Sequence, residues 1–255
     1  MTAFFPNLHF KKNNLYTFKL KNINQGENLK RKTKIILIAV LLIVLGCLIM
    51  YENYQDENST YQVLGNNSLG TVEKIIYGNA SANNSIALIT GIHPREKLSI
   101  DPEIEAAKQY GNDDVKILHY KVTVTQDAED YEKGRANGES LVHDYVNPHV
   151  TSSDAKAVII SHSHIPTYGE GFYLATPEMD NASVDIATKI SETSDFNYYP
   201  VTGNETYKST SAVLVSKPIA QAGYPTFVYE IPEDIWESTS TDKAKELFNL
   251  IAENI

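Results

Sequence analysis

Cysteine is almost missing from this 255-residue chain; the one present, Cys47, lies inside an apolar run. No disulfide can brace the residues after it, and thiol catalysis and cysteine-type metal sites are excluded there. Arginine is scarce too. Only Arg95 and Arg135 follow the apolar run, where lysine covers the general surface. A guanidinium recognises a carboxylate through two parallel hydrogen bonds, which lysine cannot do. These two are therefore candidate substrate contacts. Basic charge is short overall. The chain holds 22 basic and 32 acidic residues, and residues 1–34 take eight of the former and one of the latter. Residues 35–50 carry neither, which leaves 14 basic and 31 acidic beyond them, a formal −17. Such a surface repels polyanions, so a nucleic-acid partner is not expected.

What the N-terminal part does have is a long uncharged stretch, Ile35 to Met50. It lacks the polar face of a core helix. With Tyr51 it gives a segment, 35–51, that approaches the length of a membrane-spanning helix. Some 34 residues precede it, and Met50-Tyr51-Glu52-Asn53 does not resemble a cleavage site, so the expectation is one transmembrane signal anchor. The eight basic residues of segment 1–34 face a single acid, Glu27, which places that segment in the cytoplasm and the C-terminal part outside the plasma membrane. Six Asn-x-Ser/Thr sequons, at Asn58, Asn66, Asn79, Asn83, Asn181 and Asn204, all follow the apolar run. They are acceptors only on translocated chain.

Residues 52–71 are polar, with Asn, Ser and Gly, and read as a stalk. Residues 72–255 are enough for one domain with a substantial core. Strand-like runs fall at 72–77, 85–90, 115–124, 156–161 and 226–231, with shorter ones at 171–175 and 212–215. Helical patterns fall at 102–110, 139–145, 183–194, 217–222 and 241–254, with Asp101 placed to cap the first and Pro102 suited to its first turn. This alternation predicts an α/β fold: a mostly parallel mixed sheet flanked by helices, preceded by one transmembrane helix.

Two short histidine motifs each follow an apolar strand. The first is Gly91-Ile92-His93-Pro94-Arg95-Glu96, and the second is Ser161-His162-Ser163-His164. A third run, Thr226 to Tyr229, ends on Glu230. Two imidazoles and a carboxylate are a common zinc set that leaves one coordination position open, and a further carboxylate nearby can accept a proton. His93 and Glu96 are three apart, so one turn can point both at one ion. Strand alternation puts His162 and His164 on the same face, so either could be the third ligand.

In order and strand context these motifs resemble the zinc carboxypeptidase superfamily, including its succinylglutamate desuccinylase and aspartoacylase branch. The resemblance covers residues 72–255. It implies that His93, Glu96 and His162 bind zinc and that Glu230 is the general base. His164, on the same strand face as His162, is then left either to support the ligands or to contact substrate. Two positions depart from the family pattern. Ile160 stands where many members carry an acid, and no Asn-Arg pair is present; Arg135 with Asn137 comes nearest. The function implied is a membrane-anchored zinc hydrolase of amide bonds, acting on a peptide or N-acyl amino acid, with cell-wall material as one source. A non-catalytic surface binding domain on the same fold is the alternative.

Overall fold

In the computed structural model the described residues are 32–46, 60–112, 114–199 and 209–255. The chain separates into two compact units, Met1–Asp56 and Glu57–Ile255. The described part of the first is a helix over 32–46 whose large apolar side chains are exposed. Among the described residues no helix is long and apolar enough to cross a membrane. Residues 47–51 of the expected span, and most of the basic segment, lie outside the described residues.

The second unit is built on eight strands: β1 (Thr60–Asn67), β2 (Gly70–Tyr77), β3 (Asn84–Thr90), β4 (Val115–Val124), β5 (Ala157–His164), β6 (Tyr173–Ala175), β7 (Asn197–Tyr198) and β8 (Thr226–Pro232). Their order in the sheet is β1-β2-β4-β3-β5-β8-β6-β7. The middle four, β4-β3-β5-β8, run parallel. At one edge β1 and β2 are antiparallel, and at the other β6 joins β8 antiparallel. β3 and β5 are buried at nearly every residue because helices cover both faces, as parallel strands require. One core packs Leu88, Ile159 and Phe227 against α1 (Asp101–Tyr110), α4 (Asn181–Thr193) and α6 (Glu237–Ala252). The other packs Ile89, Val158 and Ile160 against α2 (Tyr131–Leu141), α3 (Asn147–Val150) and α5 (Lys217–Gln221).

Several expectations are corrected. The stalk reading of 52–71 fails over Thr60–Asn67, which is edge strand β1; its solvent-facing side chains gave it a loop-like composition. Asp101 makes no capping bond and lies inside the first turn of α1, with Pro102 beside it. The expected strand at 171–175 is only three residues long. The helix expected at 139–145 begins earlier, at Tyr131, capped by Asp130, which accepts from the backbone N–H groups of Glu132 and Lys133 at 3.1 and 2.9 Å. The expected strand at 212–215 is a π-helical turn, Ala212–Ser216. A matching π turn spans Val142–Val146. Each runs into a proline two residues later, Pro218 and Pro148. Proline has no N–H to give, and its ring crowds the carbonyl four residues back, so the helix widens by one residue ahead of it. The Leu214 carbonyl, four before Pro218, is taken by the Asn147 side chain at 2.8 Å.

Candidate metal centre and active site

The site forms where the parallel strands end. After β3 the chain turns at Gly91, whose φ is +80° and whose added Cβ would meet the Val122 carbonyl, so only glycine makes this turn. His93 follows. Gly138 lets α2 lie directly on that turn, since a Cβ there would strike the Ile92 carbonyl. The contact delivers the next residue, Glu139, to the ring of His93. Glu96 is set by a tight turn: its N–H donates to the His93 carbonyl at 3.1 Å, and its carbonyl accepts from Ser99 Oγ at 2.8 Å. His162 on β5 and Glu230 on β8 are register partners across the parallel pair.

Glu96 is the hub. One carboxylate oxygen lies 2.7 Å from His93 Nδ1 and accepts from Arg135 at 2.7 Å. The other lies 2.9 Å from His162 Nδ1 and accepts from the Ser163 backbone N–H at 3.2 Å. The ligating atoms of His93, Glu96 and His162 all fall within 4.8 Å of one another, and all three residues are buried. The far nitrogen of His93, Nε2, faces Glu139 Oε1 at 3.3 Å. A carboxylate on the outer nitrogen is the usual way a ligating histidine is oriented. Two imidazole nitrogens and a carboxylate, without sulfur, suit a borderline divalent cation such as zinc.

The electrostatics agree with that chemistry. Burial alone would raise the Glu96 carboxyl, but the facing His162 and His93 outweigh it and hold it below the ordinary carboxylate range. Burial lowers His93, yet its bonds to Glu139 and Glu96 win and raise it. Glu139 is lowered, because His93 and Thr210 outweigh its burial. Glu230 behaves differently. Burial pushes it up to about 7, with Glu96 adding to the rise and His162 opposing it. A carboxylate poised near neutrality suits a proton acceptor.

These groups open into a cavity of about 730 Å³. Arg95 and Arg135, the candidate substrate contacts, both line it and stack on one ring, Tyr131, at 5.8 and 5.3 Å. Asn137 does not join them; its side chain donates to the Gln126 carbonyl. His164 also lines the cavity, but its ring nitrogens lie 3.0 Å from the carbonyls of Ile165 and Gly171, and it stands outside the three-residue group. Ile160 is fully buried, so the acid missing there is not replaced on β5. Glu139 supplies a carboxylate to His93 from α2 instead. Besides Tyr131, Tyr168 and Tyr173 line the cavity. Sequence reasoning missed Glu139 and Tyr131. The signal for the first was an acid four after Arg135, one turn along the same helix face.

No protein-family model matches the chain, and no curated protein matches it in sequence. Solved structures do match in fold. A metallo-carboxypeptidase from Burkholderia cenocepacia aligns over 77% of this chain and 64% of its own, with 12% identity and a TM-score of 0.50. A protein assigned as a carboxypeptidase from Burkholderia mallei aligns over 77% and 63%, with 14% identity and a TM-score of 0.51. One assigned as carboxypeptidase A from Shewanella denitrificans aligns over 77% and 64%, with 13% identity and a TM-score of 0.52. The chain thus spans a little under two thirds of the length of these proteins. At such identities the likeness is one of architecture, and the second unit of this chain has a metallo-carboxypeptidase-like fold.

Proposed function

We propose that this chain is a zinc-dependent hydrolase of amide bonds, of carboxypeptidase or N-acyl amino acid deacylase type, anchored in the plasma membrane with its C-terminal unit outside. The observation that carries the reading is the convergence of His93 Nδ1, His162 Nδ1 and the Glu96 carboxylate at one buried point of an open cavity. The fold it shares with carboxypeptidases supports it. The anchor rests on the apolar run, the basic segment before it and the sequons after it.

His93, Glu96 and His162 would hold the ion, with Glu139 fixing the His93 ring. A bound zinc supplies Lewis-acid polarisation of the scissile carbonyl and lowers the pKa of water at the site. Glu230 accepts the proton that the attacking water loses and passes it to the departing amine. Arg95 and Arg135, held on the Tyr131 face, offer guanidinium groups to a substrate carboxylate. Such a carboxylate is common to peptide C-termini and N-acyl amino acids, cell-wall peptides included. His164 lines the same cavity as a further substrate contact.

The test is metal analysis of the purified full chain with turnover on peptides carrying a free C-terminus and on N-acyl amino acids. About one zinc per chain and cleavage of either class are expected. A chain that takes up no zinc, or that binds it and cleaves neither class, sinks the reading.

A further inference from the structure

A second acidic group lies behind the site and takes no part in the mechanism above. Glu103, on α1, is fully buried, and among the described residues neither of its carboxyl oxygens has a hydrogen-bond partner. Its carboxyl faces Ser161, whose Oγ also lacks a partner. Ser161 is the register partner of Tyr229, and the Tyr229 hydroxyl is likewise buried without one. Buried polar groups are rarely left orphaned, and a cluster of them calls for a physical account.

The position is telling. Ser161 immediately precedes His162 on β5, and Tyr229 immediately precedes Glu230 on β8. Neighbouring strand residues point to opposite faces, so Ser161 and Tyr229 lie on the far side of the sheet from the two site residues. Glu103 stands seven residues beyond Glu96, on the helix that the Glu96 turn leads into. The Glu103 carboxyl thus faces Ser161 on β5 and lies close enough to Tyr229 on β8 to act on its hydroxyl electrostatically. Burial pushes this carboxyl up to about 8, against the opposing effect of Ser161, so it is neutral at pH 7. A neutral carboxyl both donates and accepts, as the hydroxyls of Ser161 and Tyr229 require.

We infer that Glu103 is a positioning residue: in the hydrated protein it hydrogen-bonds with Ser161 and Tyr229 and so fixes the strand ends that present His162 and Glu230. The inference rests on the proposed zinc site, but it has a readout independent of metal. In the metal-free full chain, Glu103→Leu should shift the His162 imidazole NMR signals. In the zinc-loaded chain it should weaken zinc binding roughly tenfold, measured by competition with a chromophoric chelator. Glu103→Gln keeps one donor and one acceptor and should return both readouts close to wild type. A purely structural role would lower the unfolding temperature while leaving ring signals and zinc affinity in place, and that outcome overturns the inference. So does a Gln variant as impaired as the Leu variant. If Glu103→Leu does not fold, Tyr229→Phe, which lacks only the hydroxyl, takes its place under the same criteria. If the wild-type chain binds no zinc, the zinc reading fails and the His162 signals alone decide the role of Glu103.

Discussion

Glu96 and Glu103 are seven residues apart, both buried, and meet β5 from opposite sides. Glu96 has four partners: two imidazoles, a guanidinium and a backbone N–H. Among the described residues Glu103 has none in hydrogen-bond geometry. The first is held ionised and the second neutral, although the residue type and the depth are alike. Partners rather than depth decide the charge of a buried acid. A carboxylate with converging cationic or donor groups can serve a cation; one without them can serve only as a neutral acid.

Glu230 stands between these cases: it sees His162 as a favourable charge and Glu96 as an unfavourable one. Removing its charge gives the largest expected effect. Glu230→Gln should keep the fold and the zinc but lose turnover by about a hundredfold to ten-thousandfold, the usual worth of a general base. Turnover and zinc content are measured together. A rate within a few-fold of wild type would show that Glu230 is not the base, and loss of zinc would recast it as a ligand.

Glu103 gives the next effect, and its sign follows from counting protons. Its ordinary value is 4.5 and burial raises it to about 8 in the fold. Between those values the folded chain keeps a proton that the unfolded chain has released. The stability tied to this group is therefore fully present below about pH 4.5 and is lost as pH rises through about 8. At its steepest the loss approaches about 1.4 kcal/mol per pH unit. Glu103→Gln has no such proton, so its stability relative to wild type should rise across the window. Denaturant unfolding of both chains against pH measures the difference; parallel curves would place Glu103 among ordinary ionised acids.

Glu139 tests the outward side of the site. It touches His93 from α2 and orients the ring. Glu139→Gln should weaken zinc binding by roughly tenfold to a hundredfold and leave the same three ligands in place. An unchanged affinity in chelator competition would mean that His93 is oriented by its turn alone.

What the sequence made legible follows from range. His93, Glu96, His162 and Glu230 each sit within a few residues of an apolar strand, so local pattern reaches them. The central strands were readable for the same reason, since burial on both faces makes them continuous apolar runs. Glu103 and Glu139 lie on helices, where an acid reads as a solvated residue, and only packing against β5, β8 and the His93 turn buries them. β1 escaped because an edge strand exposes side chains that look like loop. The turn at Ala212–Ser216 misled in the other direction. Its valines imitate a strand, yet Val213 is exposed and Val215 buried because Pro218 forces a widened helical turn.

Asp180 is a half-buried acid with half a set of partners. One oxygen caps α4, accepting from the Ser183 N–H at 2.9 Å, while the other is buried with no partner among the described residues. The start of α4 lies at the entry to β8, where Ser183 Oγ accepts from the Thr226 N–H at 2.9 Å, four residues before Glu230. Asp180 thus has a local helix-capping role and no route into the cavity. Asp180→Ala should cost about 1 kcal/mol of stability, the typical loss of a cap. Asp180→Asn keeps an oxygen for the Ser183 N–H, so most of that stability should return. Zinc affinity and turnover should stay at wild-type values in both variants. Denaturant midpoints check the first claim and chelator competition the second. If Asp180→Ala loosened zinc as Glu103→Leu is expected to, any acid near the entry to β8 would disturb the site, and Glu103 would lose its distinction from a general packing group.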